Sequence, residues 1–313
     1  MRRVLAGVLC ALLLGGCAAR PPQSGGEKLS VVTTLFPYYD FARAVAGERA
    51  EITLLCPPGR EAHSFEPTPL DAVTVSRADV FLCNGGESEA WVDDLLSAVG
   101  GEIAVTAHLM DAVDALGEEF VEGMQGAKEE SDEDSDEIEY DEHVWTSPRN
   151  AIALCEAVCD AICAADGANE EEYRANCARY CERLAALDLR FEALRGRAQR
   201  DVLVFADRMP FLYFCKAYGL DYRAAFHGCA TDTEPSLATL KYLIDKVARE
   251  QIPVVYTVDL DSERIARVVQ ECTGAQIARL YSLQTVSRAD FDAGETYLTM
   301  MERNLAALEG GLL

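Results

Sequence analysis

The stretch from Glu170 to Arg195 contains no glycine or proline and is rich in Glu, Ala, Arg and Leu. Its apolar and aromatic positions, Tyr173, Cys177, Tyr180, Leu184, Leu187, Phe191 and Leu194, step by three and four. That spacing stacks one set of side chains along a single face and predicts one amphipathic helix. Unbroken, it would run about 39 Å at 1.5 Å per residue. Such a rod limits what the rest of the chain can become, because whatever lies on its two sides is joined rigidly and resists wide hinge bending.

Both sides alternate strand and helix. Before the rod, apolar β-branched runs at Leu29 to Leu35, Ile52 to Cys56 and Val80 to Cys83 are separated by helical patterns at Tyr38 to Ala46, Leu70 to Val75 and Ala90 to Val99. A further strand is expected over Ile103 to Thr106. After the rod, strands at Val202 to Phe205, Tyr222 to Phe226, Val254 to Val258 and Ile277 to Leu280 are expected. They interleave with helices at Phe211 to Tyr218, Leu237 to Glu250, Ile265 to Cys272 and Phe291 to Leu308. Alternation of this kind predicts an α/β fold of two lobes, each a mainly parallel sheet flanked by helices. The expected boundaries are 29–168, the linking helix 169–197, and 198–313. Open sheets of this class bind ligands beyond the carboxyl ends of their strands, so the cleft between lobes is the default site.

With 313 residues the chain is too long for one compact core and suits two domains. Lys and Arg total 28 against 53 Asp and Glu, for a formal charge of −25. A surface of that sign repels phosphate backbones, which argues against nucleic-acid binding and fits a cationic ligand. Thirteen of the acidic residues fall between Glu118 and Glu142 with one lysine. Self-repulsion and low hydrophobicity predict a disordered insertion over 118–142.

Arg2 and Arg3 precede an apolar run from Val4 to Leu14, too short to span a bilayer and shaped as a secretory signal. It ends in Leu14-Gly15-Gly16-Cys17, which resembles a bacterial lipobox and marks Cys17 for lipidation. The signal would occupy 1–17, and the Pro-, Gly- and Ser-rich segment 18–28 reads as a tether. Of the other cysteines, Cys155, Cys159 and Cys163 recur every four residues, as do Cys177 and Cys181. Without Cys-x2-Cys knuckles, these read as small buried hydrophobes or disulfide partners before metal ligands.

Four histidines exist: His63, His108, His143 and His227. His63 sits in His63-Ser64-Phe65-Glu66-Pro67-Thr68-Pro69 and His143 in Asp141-Glu142-His143-Val144-Trp145, ahead of Ser147 and Pro148 as a helix start. His108 has no motif around it and reads as structural. These two segments, in this order and with the lipobox, resemble the metal-binding solute receptors of bacterial ABC importers (cluster A-I, ZnuA/TroA-like). Val31-Val32-Thr33-Thr34-Leu35-Phe36-Pro37, Trp91-Val92 after Asn84-Gly85, and Gly294-Glu295-Thr296-Tyr297-Leu298 also look like that family. The resemblance implies two lobes on one long helix. It further implies a monomeric, lipid-anchored extracytoplasmic receptor serving an ABC permease and its ATPase, with Zn²⁺ or Mn²⁺ bound by His63 and His143.

The second lobe departs from the family pattern. The stretch that usually supplies a third His or Glu reads Val204-Phe205-Ala206-Asp207-Arg208-Met209-Pro210, and Tyr281-Ser282-Leu283-Gln284 offers no charged ligand. Asp207 is the nearest available group. His227, at a strand's carboxyl end beside Gly228, is the only histidine left in that lobe. Three imidazoles and Asp207 would suit tetrahedral zinc. Two imidazoles with Asp207 and Glu234 would suit manganese better. Glu66 and Asp141 are candidate acceptors for the imidazole N–H groups. A zinc-dependent hydrolase could share such ligands, but no His-Glu-x-x-His, Gly-x-Ser-x-Gly or phosphate-binding glycine loop is present. A receptor for an organic or haem-like ligand would instead need an aromatic-lined cleft.

Overall fold

The computed structural model describes residues 28–100, 103–126, 139–230, 234–260 and 262–313. The expected leader over 1–17 with Cys17, and all of the tether except Lys28, lie outside them. The first lobe runs β1 (Leu29–Thr33), α1 (Phe36–Ala46), β2 (Ala50–Leu54), α2 (Pro69–Ser76), β3 (Val80–Cys83), α3 (Trp91–Val99), β4 (Val105–His108) and α4 (Pro148–Ala165). The linking helix is α5 (Glu170–Arg197), 28 residues long. The second lobe follows as β5 (Val202–Met209), α6 (Leu212–Tyr218), β6 (Asp221–His227), α7 (Leu237–Glu250), β7 (Val254–Val258), α8 (Arg264–Thr273), β8 (Gln276–Leu280), α9 (Arg288–Asp292) and α10 (Tyr297–Leu312). Each lobe holds a four-stranded sheet, in the orders β2-β1-β3-β4 and β6-β5-β7-β8, with every pairing parallel.

The seven residues of the sequence stripe, Tyr173 through Leu194, are the buried face of α5. The helix is fixed at several points. Tyr180 donates to Asp40 Oδ2 at 2.7 Å, and the same carboxylate accepts the Tyr297 N–H at 2.9 Å, so one buried acid ties α1, α5 and α10 together. Arg49 pairs with Glu172, Arg190 with Glu302 and Arg197 with Glu309 along its exposed side. Exposed pairs contribute little individually. The apolar face and the Asp40 node therefore carry the rigidity.

Three expectations change in detail. The helix expected over Phe291 to Leu308 is two, because Gly294 turns the chain at φ 75° and Thr296 starts α10 with a reciprocal capping box to Thr299. Pro148 opens α4 at its first turn, yet Ser147 makes no side-chain capping bond. The acidic segment, expected to be disordered over 118–142, is packed at both ends, while 127–138 lie outside the described residues. Gly117 and Tyr140 form an antiparallel bridge, and the Glu118 N–H donates to the Glu139 carbonyl at 2.8 Å. Gln125 then donates its N–H to the Ala225 carbonyl at 2.9 Å, and Gly123 packs against the Tyr242 ring. Charge density alone mispredicts these ends because backbone bonds to the second lobe and burial of Met124 hold them.

Candidate metal centre

His63 lies on the loop leaving the carboxyl end of β2. That loop is pinned at one end by the Gly59 N–H, which donates to the Val286 carbonyl of the other lobe at 2.7 Å. At the other end Thr68 and Asp71 close a capping box on α2. Between them, Phe65 is buried edge-on against Trp91 with centroids 5.5 Å apart. His63 is half-buried, its ring turned into the cleft.

His143 comes from the connection into α4 and is 1% exposed. Asp141, fully buried, accepts the His143 N–H at 2.8 Å and faces its Nδ1 at 3.2 Å through the same Oδ1. Thr146 holds the His143 carbonyl with both its hydroxyl, 2.8 Å, and its N–H, 3.1 Å. With Nδ1–H directed to Asp141, the Nε2 lone pair is left for the cleft. It points at His63: the two Nε2 atoms are 3.3 Å apart. Two nitrogens bound to one tetrahedral zinc at 2.0–2.1 Å would be about 3.3–3.4 Å apart.

Asp141 is itself braced. Its carbonyl accepts the Tyr213 hydroxyl at 2.7 Å, and its N–H donates to the Leu116 carbonyl at 2.9 Å. Gly228, just past β6, lies so close that a Cβ there would sit 3.1 Å from Asp141 Oδ2 and from Cε1 and Nδ1 of His143. This close approach is the role for which glycine is required at 228.

The next residue is Cys229. Its Sγ and one ligand nitrogen each of His63 and His143 all lie within 4.8 Å of one another. No sequence motif marks it as a ligand. The available signal was its place at a strand's carboxyl end, outside the helical cysteine stripes.

Of the other sequence-based candidates, His227 is turned away from this cluster. Its Nδ1 is 3.5 Å from Glu118 Oε1, and its ring meets Phe120 at 5.1 Å between centroids. Asp207 Oδ2 accepts the Val258 N–H at 3.2 Å and its Oδ1 the Arg208 N–H at 2.8 Å. Glu234 is exposed and pairs with Arg264. Glu66 is exposed. His108, at the end of β4, sits 3.5 Å from Cys83 Sγ. The structure thus brings together His63, His143 and Asp141, and does not bring His227, Asp207, Glu234 or Glu66 into that group.

The field at His143 favours a cation. Burial, then the neighbouring His143, pushes His63 down to about 3, so it stays a neutral donor. Burial also opposes charge on His143, but Asp141, Glu118 and Glu142 outweigh it and raise its affinity for a proton. What attracts a proton there attracts a metal ion. Burial, then Asp141 and Glu118, raises the Cys229 thiol, so in the absence of a metal it holds its proton.

The pair opens into a cavity of about 210 Å³ whose other wall is the second lobe, including Arg208, Asp259, Ser282 and Gln284. β5 gains one residue against β6 between Phe205 and Arg208, a bulge next to the site. Arg208 lines the cavity and reaches across to Glu61 Oε2 at 2.8 Å. Behind His143, Trp145 packs its ring 5.6 Å from the imidazole and donates its indole N–H to the Ser282 carbonyl at 2.7 Å.

The family described as zinc-uptake complex component A, periplasmic (ZnuA) matches residues 31–311. The zinc-binding lipoprotein AdcA of Streptococcus pneumoniae serotype 4 is 33% identical over 305 residues, 96% of this chain, which spans 59% of AdcA's length. The high-affinity zinc uptake system protein ZnuA of Bacillus subtilis is 30% identical, with 97% of this chain and 95% of that protein covered. The Zn(II)-bound ZnuA-like domain of S. pneumoniae AdcA superposes with a TM-score of 0.75 at 30% identity, covering 91% of this chain and 99% of that one. The chain belongs to the ZnuA family of periplasmic zinc-uptake components.

Proposed function

We propose that this chain is a high-affinity extracytoplasmic zinc receptor that delivers the ion to an ABC permease and its ATPase. It works as a monomer held to the membrane by lipid on Cys17. The ion is cargo and is released unchanged, so the chain is not an enzyme. The observation that carries the reading is the pair of facing imidazole nitrogens 3.3 Å apart, with Asp141 behind one and Cys229 beside both. His63, His143 and Cys229 would be the protein ligands, leaving a fourth position open toward the cavity. Two imidazoles and a thiolate form a borderline-to-soft donor set that favours zinc over manganese. The manganese alternative would require Asp207 and Glu234, whose carboxylates are engaged elsewhere.

Competitive metal analysis of the purified chain should give one zinc per molecule in preference to manganese. A His63→Ala, His143→Ala variant that retains full zinc affinity would refute the reading.

A further inference from the structure

Five cysteines line the seam between α4 and α5, and none of them lines the cleft cavity. Cys155 and Cys177 face each other across the two helices with sulfurs 4.0 Å apart, and Cys177 and Cys181 stand one helical turn apart at 3.9 Å. One ligand atom from each of these three lies within 4.8 Å of the others. Cys159 and Cys163 continue the row at 3.9 Å. Neighbouring thiolates on one ion at about 2.3 Å would be about 3.8 Å apart, close to the spacings here.

We propose that Cys155, Cys177 and Cys181 form a second metal site that takes a soft d10 ion, Zn²⁺ or Cu⁺. The donors are all sulfur, which selects thiophilic ions against manganese, calcium or magnesium. Cys155 and Cys177 are buried and Cys181 is half-buried, so the edge at Cys181 is the entry. The thiols are poorly satisfied as they stand: Cys177 reaches the Cys155 carbonyl at 3.7 Å and Cys181 the Ile152 carbonyl at 4.0 Å, both weak contacts. Arg174 Nη1 lies 3.9 Å from Cys159 Sγ and supplies positive charge beside the row. Each sulfur that binds the ion releases one proton to solvent, so loading acidifies an unbuffered solution.

The test uses the full chain with the cleft cluster silenced (His63→Ala, His143→Ala, Cys229→Ser), kept reduced, and titrated separately with Cd²⁺ as a zinc surrogate and with Cu⁺. One equivalent of either ion should bind with a thiolate-to-metal charge-transfer band. That band should be lost in an added Cys177→Ala and kept in an added Cys163→Ala. Which ion binds more tightly identifies the cargo of the site. No charge-transfer band with either ion overturns the proposal, as does a band equally sensitive to Cys163→Ala and Cys177→Ala. Recovery of a Cys155–Cys177 disulfide from protein isolated under non-reducing conditions, with no metal, would also overturn it. Because the background lacks the cleft cluster, failure here is separable from failure of the zinc-receptor reading.

Discussion

His63 Nε2 and His143 Nε2 stand 3.3 Å apart although 80 residues separate them in the chain. Neither histidine reaches the other by flexibility. One is carried by a loop fixed at Gly59 and Thr68, and the other is held through its N–H, its ring nitrogen and its carbonyl. The ligand pair is thus set before any ion arrives, and little ordering cost is left to binding.

Asp141→Asn tests the support of that pair. Asparagine keeps an oxygen for the His143 N–H but loses the charge that orients and enriches the ring. Zinc affinity should fall about 10- to 100-fold with the fold intact. Titration against a competing chelator measures this, and an unchanged constant would show that the carboxylate does not support the ligand.

Gly228→Ala tests close approach. The added methyl would lie 3.1 Å from the His143 ring and the Asp141 carboxylate, both firmly braced. We expect zinc affinity to drop about tenfold, ~1.4 kcal/mol, with an unchanged circular dichroism spectrum. Affinity that stays within twofold would mean that the ring yields without losing its aim.

Cys229→Ser and His227→Ala should be compared directly. Cys229 joins the histidine cluster, whereas His227 faces Glu118. Loss of the thiolate should weaken zinc by about a hundredfold, ~2.8 kcal/mol, and narrow the preference over manganese. His227→Ala should change affinity less than threefold. The reverse order of effects would make His227 the ligand and Cys229 a bystander.

The architecture was legible because its signals are periodic. The stripe from Tyr173 to Leu194 is also the set buried in α5. The strand runs fell close to β1 to β8, most clearly for β3 and β7, because buried parallel strands read as apolar runs. The histidine pair was legible from paired motifs. Cys229 was not, because a single cysteine in a loop has no period, and its nearness to His143 depends on Gly228 folding against that ring. His227 looked attractive for the complementary reason: position at a strand end was readable, but side-chain direction, set here by Glu118 and Phe120, was not.

A last expectation concerns pH. Glu89, 6% exposed, accepts the N–H groups of Asn84 at 2.7 Å and Gly85 at 3.0 Å. It thereby shapes the turn whose Asn84 side chain holds the Glu142 carbonyl, one residue before His143. Burial raises this carboxyl to about 7, with the nearby Glu142 adding to the shift. In the unfolded chain it would titrate near 4.3. The folded state therefore keeps a proton that the unfolded state has given up, and stability falls as pH rises from about 4.3 to about 7, then levels. Glu89→Gln removes the ionisation while leaving an acceptor for both amides. Relative to the parent, the variant should gain on the order of 1–3 kcal/mol of stability between pH 5 and pH 8. Thermal melts of the metal-free protein at both pH values measure the difference. A gap that is the same at pH 5 and 8 would show that Glu89 is ionised in the folded chain throughout, and that the amides of Asn84 and Gly85 outweigh its burial.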